Sequence, residues 1–213
     1  MIISSDFMEI DVNIEEKQRI LVHAREKFFK DGFYKTTIDE IAADLFISKN
    51  TIYKYFPNKD ALVMDVFTDF MGKMKLLVGN ITNSDENAVQ KFVNLIHILS
   101  NHLASISDKF FKDMQVHVPH LWHKIDETRK QLMQDRLGKL IEQGKKEELF
   151  YDYPTEIVLT VFITSLRSVV NPDFLMNSNF AKNDAIKYTF RILLGGILTK
   201  KGMQIFKKLK LPQ

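Results

Sequence analysis

Residues 48–62 read SKNTIYKYFPNKDAL, and the fold turns on how this stretch is read. Ser48 is a residue type whose side-chain oxygen caps helix starts, and Pro57 disfavours helical geometry in the residue before it. The spacing therefore predicts a short helix ending at Phe56, with Asn58 capping the next one. Ile47, Ile52 and Phe56 would anchor the short helix, which leaves Lys49, Asn50, Thr51, Tyr53, Lys54 and Tyr55 for solvent or a partner. A polar, basic face opposite a few apolar anchors is what reading base edges and phosphates requires. Lys59 falls in the first turn of the following helix, where a cation opposes the helix dipole unless a phosphate lies nearby to share it with the free amides. No acid occurs from Leu45 to Lys59, although residues 1–60 as a whole are slightly acidic.

Working outward, Thr37 and Glu40 have the spacing of a capping box. They open a helix whose buried face is Ile38, Ile41, Ala42 and Leu45. Upstream, Ile20, Leu21, Ala24 and Phe28 form one face of a helix over about 14–30, with Gly32 as its stop. Two short helices with a brief turn between them, followed by an immediate restart, have the spacing of a helix-turn-helix.

The segment FYKTTIDEIAADLFISKNTIYKYFPNKDAL resembles the DNA-binding segment of the TetR family of transcriptional regulators. Thr36, Thr37, Ile41, Ala42, Ser48, Thr51, Ile52, Tyr53, Tyr55, Phe56, Lys59 and Leu62 fall on family positions. One departure is Phe46, in a turn where the family commonly has glycine; phenylalanine tolerates positive φ poorly, so a turn with negative φ or a shifted angle is expected. The resemblance implies DNA contacts for Thr37, Ser48, Lys49, Asn50, Thr51, Tyr53, Lys54, Tyr55 and Lys59. On chemistry, Lys49 and Asn50 suit base edges, whereas Tyr53, Tyr55 and Lys59 suit phosphates.

The rest of the chain sets limits. Its 213 residues carry a net charge of +3 and no cysteine, which excludes disulfides and thiolate chemistry. The N-terminus has acids where a signal peptide needs a basic region, and no apolar run reaches the length of a membrane span, so a cytoplasmic protein without membrane attachment is expected. Apolar residues recur at three- and four-residue spacing almost throughout, with five prolines and eight glycines in all; this predicts an all-α chain. Its organisation is expected to be an N-terminal three-helix helix-turn-helix domain over 1–58 and a larger helical effector-binding and dimerisation domain over 59–213. Later helices are expected at about 59–79, 85–104, 107–115, 119–143, 154–170 and 180–201, with Ser84, Ser107 and Pro119 as starts and Gly144 as a stop.

Phe67, Phe70, Met71, Met74, Phe92, Ile96, Phe110, Phe111, Met114 and Trp122 would either line an adaptable apolar pocket or fill a core. His97 and Arg167 are candidates for its polar groups. His117, His120 and His123 lack the spacing of a metal site, so neither a metal nor a cofactor is expected, and with no serine or acid placed to complete a constellation the chain reads as a non-enzyme. The segment IVLTVFITSLRSVV is apolar nearly all round, and Gly195 and Gly196 sit inside the last helix. Close approach of another helix would explain the glycines. In the resemblance these two helices form a homodimer's four-helix bundle, here with Leu159, Phe162, Leu166, Leu194, Gly195 and Leu198 at the interface. The basic tail with Lys200, Lys201, Lys207, Lys208 and Lys210 reads as solvated surface. The function expected is a regulator bound to palindromic duplex operator DNA. Most readily it is a repressor released by an unidentified small apolar or amphipathic effector; an activator, or a filled core without effector, is the alternative.

Overall fold

The computed structural model describes residues 3–169, 171, 174–175, 177 and 179–209. Among these, α1 (Ile3–Asp31), α2 (Ile38–Leu45), α3 (Lys49–Tyr55), α4 (Lys59–Thr82) and α5 (Ala88–Ala104) are followed by α6 (Asp108–His117), α7 (Pro119–Lys146) and α8 (Thr155–Val169). Two more, α9 (Lys182–Ile197) and α10 (Lys200–Lys208), complete the described helices. The described residues form no strand, only an isolated antiparallel bridge between Phe150 and Leu198. The protein is all-α, as its periodicity requires.

The chain divides into two compact units, Met1–Gly72 with Ser107–Leu121, and Lys73–Ile106 with Trp122–Gln213. The first is built on α1, whose Ile20, Ala24 and Phe28 are fully buried. Ion pairs tie α1 to α4, through Lys17 to Asp65 at 3.4 Å and Arg25 to Asp69 at 3.3 Å. On the other side Arg19 donates to the Leu45 carbonyl at 2.6 Å. Lys27 and His23 both reach Asp44, at 2.6 and 3.1 Å, and these bonds, Lys27 first, hold the Asp44 carboxyl below its ordinary pKa. In the same unit α6 packs on α1: Phe29 meets Phe70 and Phe110 edge-on with centroids 5.1 and 4.9 Å apart, and Phe33 and Phe111 join them.

The second unit has its own aromatic core, in which Phe92 of α5 contacts Phe150 and Phe162, and Phe162 contacts Phe190 of α9. Lys91, only 4% exposed, donates to the Thr82 carbonyl at 3.1 Å and to Gln143 Oε1 at 2.9 Å. That satisfies a buried cation which would otherwise be costly.

The expected caps at Thr37, Ser48, Asn58 and Ser107 are all in place. Other boundaries differ for local reasons. The first helix begins at Ile3 rather than near Ile14. Asn87, not Ser84, caps α5, its Oδ1 accepting from the Gln90 amide at 3.0 Å. Gly144 does not end α7; Glu148, at φ 60°, reverses the chain, and the Gly144 position is glycine because a Cβ there would strike the Phe150 ring. The expected final helix is two helices: Leu198 leaves helical geometry to bridge Phe150, and Thr199 caps α10 with its hydroxyl on the Gly202 amide. Gly202 lies against the Leu149 carbonyl, so a larger residue would push α10 off. Lys200, Lys201, Lys207 and Lys208 lie on α10 and are exposed, with Lys201 Nζ on the Glu147 carbonyl at 2.9 Å; Lys210 lies outside the described residues.

Candidate nucleic-acid interface

The interface starts from α2. Thr37 accepts from the Glu40 amide at 3.1 Å, and the Glu40 carboxylate accepts from the Thr37 amide at 2.8 Å, which closes the capping box. The helix stops at Phe46, which adopts φ 57° and ψ 39°. Contrary to the sequence expectation, the turn keeps left-handed geometry despite lacking glycine, a conformation that costs a non-glycine residue about 1–2 kcal/mol. Ile47 then donates to the Ala42 carbonyl at 3.0 Å, and Ser48 opens α3 by accepting from the Thr51 amide at 3.0 Å. The Ser48 and Thr51 hydroxyls also bond each other at 2.9 Å.

A seven-residue helix cannot persist alone in water. Within α3 only Ile52 is buried, fully, and Phe56 follows at 1% exposure. Further support comes from α1. Lys54 Nζ donates to Asn13 Oδ1 at 2.7 Å, and the Tyr55 hydroxyl reaches both Asn13 Oδ1 and Glu16 Oε2 at 2.8 Å. Burial first, and then the bond to Glu16, raise the Tyr55 pKa. Ser48, Lys49, Asn50, Tyr53 and Lys54 remain exposed, while Thr51 and Tyr55 are half-buried.

Two further predicted contacts, Lys49 and Lys59, also have partners in the free protein. Lys49 Nζ binds Asp39 Oδ2 of α2 at 2.9 Å and lies 6.0 Å from the Tyr53 ring centroid; the Asp39 bond raises its pKa. Lys59 Nζ donates to the Tyr34 carbonyl at 2.7 Å, and its partial burial lowers its pKa against the opposing pull of Asp113, Asp60 and Glu40. It thus ties the start of α4 to the loop between α1 and α2 and retains two further donors.

Asn13, Glu16 and Asp39 are missing from the sequence-based set. The acid-free window from Leu45 to Lys59 is acid-free in sequence only, because folding brings in Glu16 from α1 and Asp39 from α2. Asp39→Asn is therefore expected to release Lys49 and tighten binding to all duplexes by about 2–5-fold. Fluorescence anisotropy with specific and random duplexes checks it; unchanged affinity for both would show that Lys49 has no role on DNA.

Residues 20–66 match the model of the family of bacterial regulatory proteins, tetR family. This segment belongs to the tetR family. The chain is also 23% identical over 181 residues to YvaF of Bacillus subtilis, an HTH-type transcriptional regulator of uncharacterised role, covering 84% of this chain and 94% of that one. Among solved structures, the fatty acid degradation regulator FadR from Bacillus halodurans has TM-score 0.63 at 22% identity, covering 85% of this chain and 95% of its own. A TetR-family regulator from Agrobacterium tumefaciens has TM-score 0.69 at 13% identity, covering 88% and 100%. At these identities the structures share the fold alone. With its tetR-family helix-turn-helix, this protein is a DNA-binding transcriptional regulator, and the proteins it resembles are regulators rather than enzymes. Among the described residues no helix is long and apolar enough to cross a membrane.

The other predicted sites distribute as follows. Phe67, Phe70, Met71, Phe110, Phe111 and Met114 belong to the first unit, and Met74, Phe92, Ile96, His97, Trp122 and Arg167 to the second. Phe110, Phe111 and Met114 fill the first unit's core and Met74, Phe92 and Ile96 the second's. Arg167 is engaged by Asp126 through Nε at 3.2 Å and through Nη2, and so links α8 to α7. His117 stacks on Tyr34 at 3.5 Å, while His120 and His123 are exposed; no group of metal-binding side chains occurs among the described residues. Of the residues expected at a dimer interface, Phe162, Leu166, Leu194 and Leu198 are buried within their own unit, Leu159 is half-buried and Gly195 is exposed.

Proposed function

We propose that the protein is a homodimeric repressor that holds α3 of each copy in successive major grooves of a palindromic operator and lets go when a small apolar or amphipathic effector binds the second unit. The observation that carries the reading is α4. One uninterrupted helix begins at Lys59, directly after the DNA-reading segment, and continues past Gly72 into the other unit. A change in its far end that favours one arrangement shifts the population of the other end. Two recognition helices must stand about 34–36 Å apart to read a palindrome, so a modest displacement suffices for release.

Support for an effector comes from α5, where the Ser100 hydroxyl is fully buried and has no hydrogen-bond partner among the described residues. Such a group costs about 1–3 kcal/mol, and the polar group of an effector would satisfy it. Because the structurally similar FadR is a fatty acid degradation regulator, fatty acids are the first probes to try. An operator is selected from a random duplex pool with the full chain, and fatty acids of graded length are added. The expected result is that a ligand raising the melting temperature also weakens operator binding. Saturation of the protein with no change in operator affinity would refute effector control.

A further inference from the structure

The turn between α2 and α3 is fixed without the side chain of Phe46. Leu45 is buried, Ile47 is half-buried, Arg19 holds the Leu45 carbonyl, and the amides of Phe46 and Ile47 bond back to Ala43 and Ala42. Glycine or asparagine would adopt φ 57° more readily than phenylalanine. The ring gains nothing in exchange, because Phe46 is 96% exposed. A bulky residue held in left-handed geometry and denied any packing has no account in the fold. Strain left uncompensated by folding points to function.

Phe46 stands two residues before Ser48, at the entry to the recognition helix. The groups around it in sequence already have roles: Asp44 is engaged by Lys27 and His23, and Lys49 by Asp39. A duplex offers one apolar group on its major-groove base edges, the C5-methyl of thymine, and aromatic side chains contact it. We propose that Phe46 is a specificity-determining residue that meets a thymine methyl at the edge of each half-site. This rests on the reading of α3 as the DNA-reading helix. The contact would make the turn itself part of the base-reading surface, adding an apolar element to the polar face of Lys49 and Asn50.

The test crosses protein and DNA. Operators are selected from a random duplex pool by the full-length wild-type chain and by Phe46→Gly. The wild type is expected to demand thymine at one position per half-site, and the variant to lose that demand alone. Replacing that thymine by deoxyuridine, which removes only the methyl, should weaken wild-type binding about 3–10-fold and leave Phe46→Gly unaffected. The variant should melt at a higher temperature, which separates lost contact from lost fold. Equal deoxyuridine sensitivity in both proteins would overturn the contact, as would selected sites without a thymine preference. A Phe46→Gly that binds more weakly while the wild type itself is insensitive to loss of the methyl would assign the ring to deoxyribose and overturn it too. If the wild type selects no duplex at all, the reading of α3 fails and this contact with it.

Discussion

Ile192→Asp is expected to leave the chain folded but monomeric, and to weaken operator binding by about 10²–10⁴-fold, the factor by which a second linked site strengthens the first. Ile192 is 73% exposed on α9. One turn before it Tyr188 is exposed, and on α8 Ile157 and Val161 are exposed one turn apart. Apolar residues at this spacing form a stripe on each helix, and α9 packs directly on α8. Gly195 and Gly196 extend the α9 stripe by a further turn, and a Cβ on either would meet nothing within 4 Å among the described residues. Each glycine inside a helix costs about 1 kcal/mol relative to alanine, a cost that the close approach of another molecule would explain. In the proposed dimer, a second copy applied to this face would supply it and bury the stripe. Because Ile192 makes little of its own unit's core, a charge there should shift stability by less than about 0.5 kcal/mol. Sedimentation of wild type and variant, with anisotropy on the selected operator, gives both readouts. A variant that remains dimeric would move the interface elsewhere.

Ile52→Ala is expected to destabilise the first unit by about 2–5 kcal/mol and to remove operator binding with it. Ile52 is the one buried residue within α3, fully enclosed, and the helix is too short to survive by propensity. Without that anchor the Ser48 cap and the Asn13 tether hold a helix with no apolar attachment except Phe56. Tyr53→Ala is the matched control, since Tyr53 is exposed and truncating it leaves the anchor intact. Urea unfolding followed by circular dichroism should show the first unit melting early in Ile52→Ala and unchanged in Tyr53→Ala. Equal stability of all three would mean that α3 is held by something other than its apolar face.

What the sequence revealed followed the range of the interactions involved. Caps and the capping box at Thr37 are decided by residues three apart, so they were legible, and so was the apolar face formed by Ile20, Ala24 and Phe28. Contacts between distant segments were not. Lys49 meets Asp39 across the turn, and Tyr55 meets Glu16 across 39 residues; nothing local marks either pair. The division of the last helix was hidden for the same reason, since Leu198 is drawn out of it by Phe150, far upstream. At α8 and α9, apolarity all round concealed which face a helix keeps for itself, and only burial separated Phe162 and Leu194 from Ile157 and Ile192. At Phe46 the local rule favoured negative φ, and the surrounding backbone bonds overrode it.

The claim on which the account depends is that the exposed side of α3 enters a DNA groove. Titrating the full chain with its selected operator from about 50 to 200 mM salt tests it most directly, alongside Lys49→Ala. Entry into the groove predicts a binding constant that falls linearly with salt on logarithmic axes, and a variant that binds less tightly and selects a different base at one position of each half-site. Duplex binding absent even at the lowest salt, or identical site preference in Lys49→Ala and wild type, would contradict it.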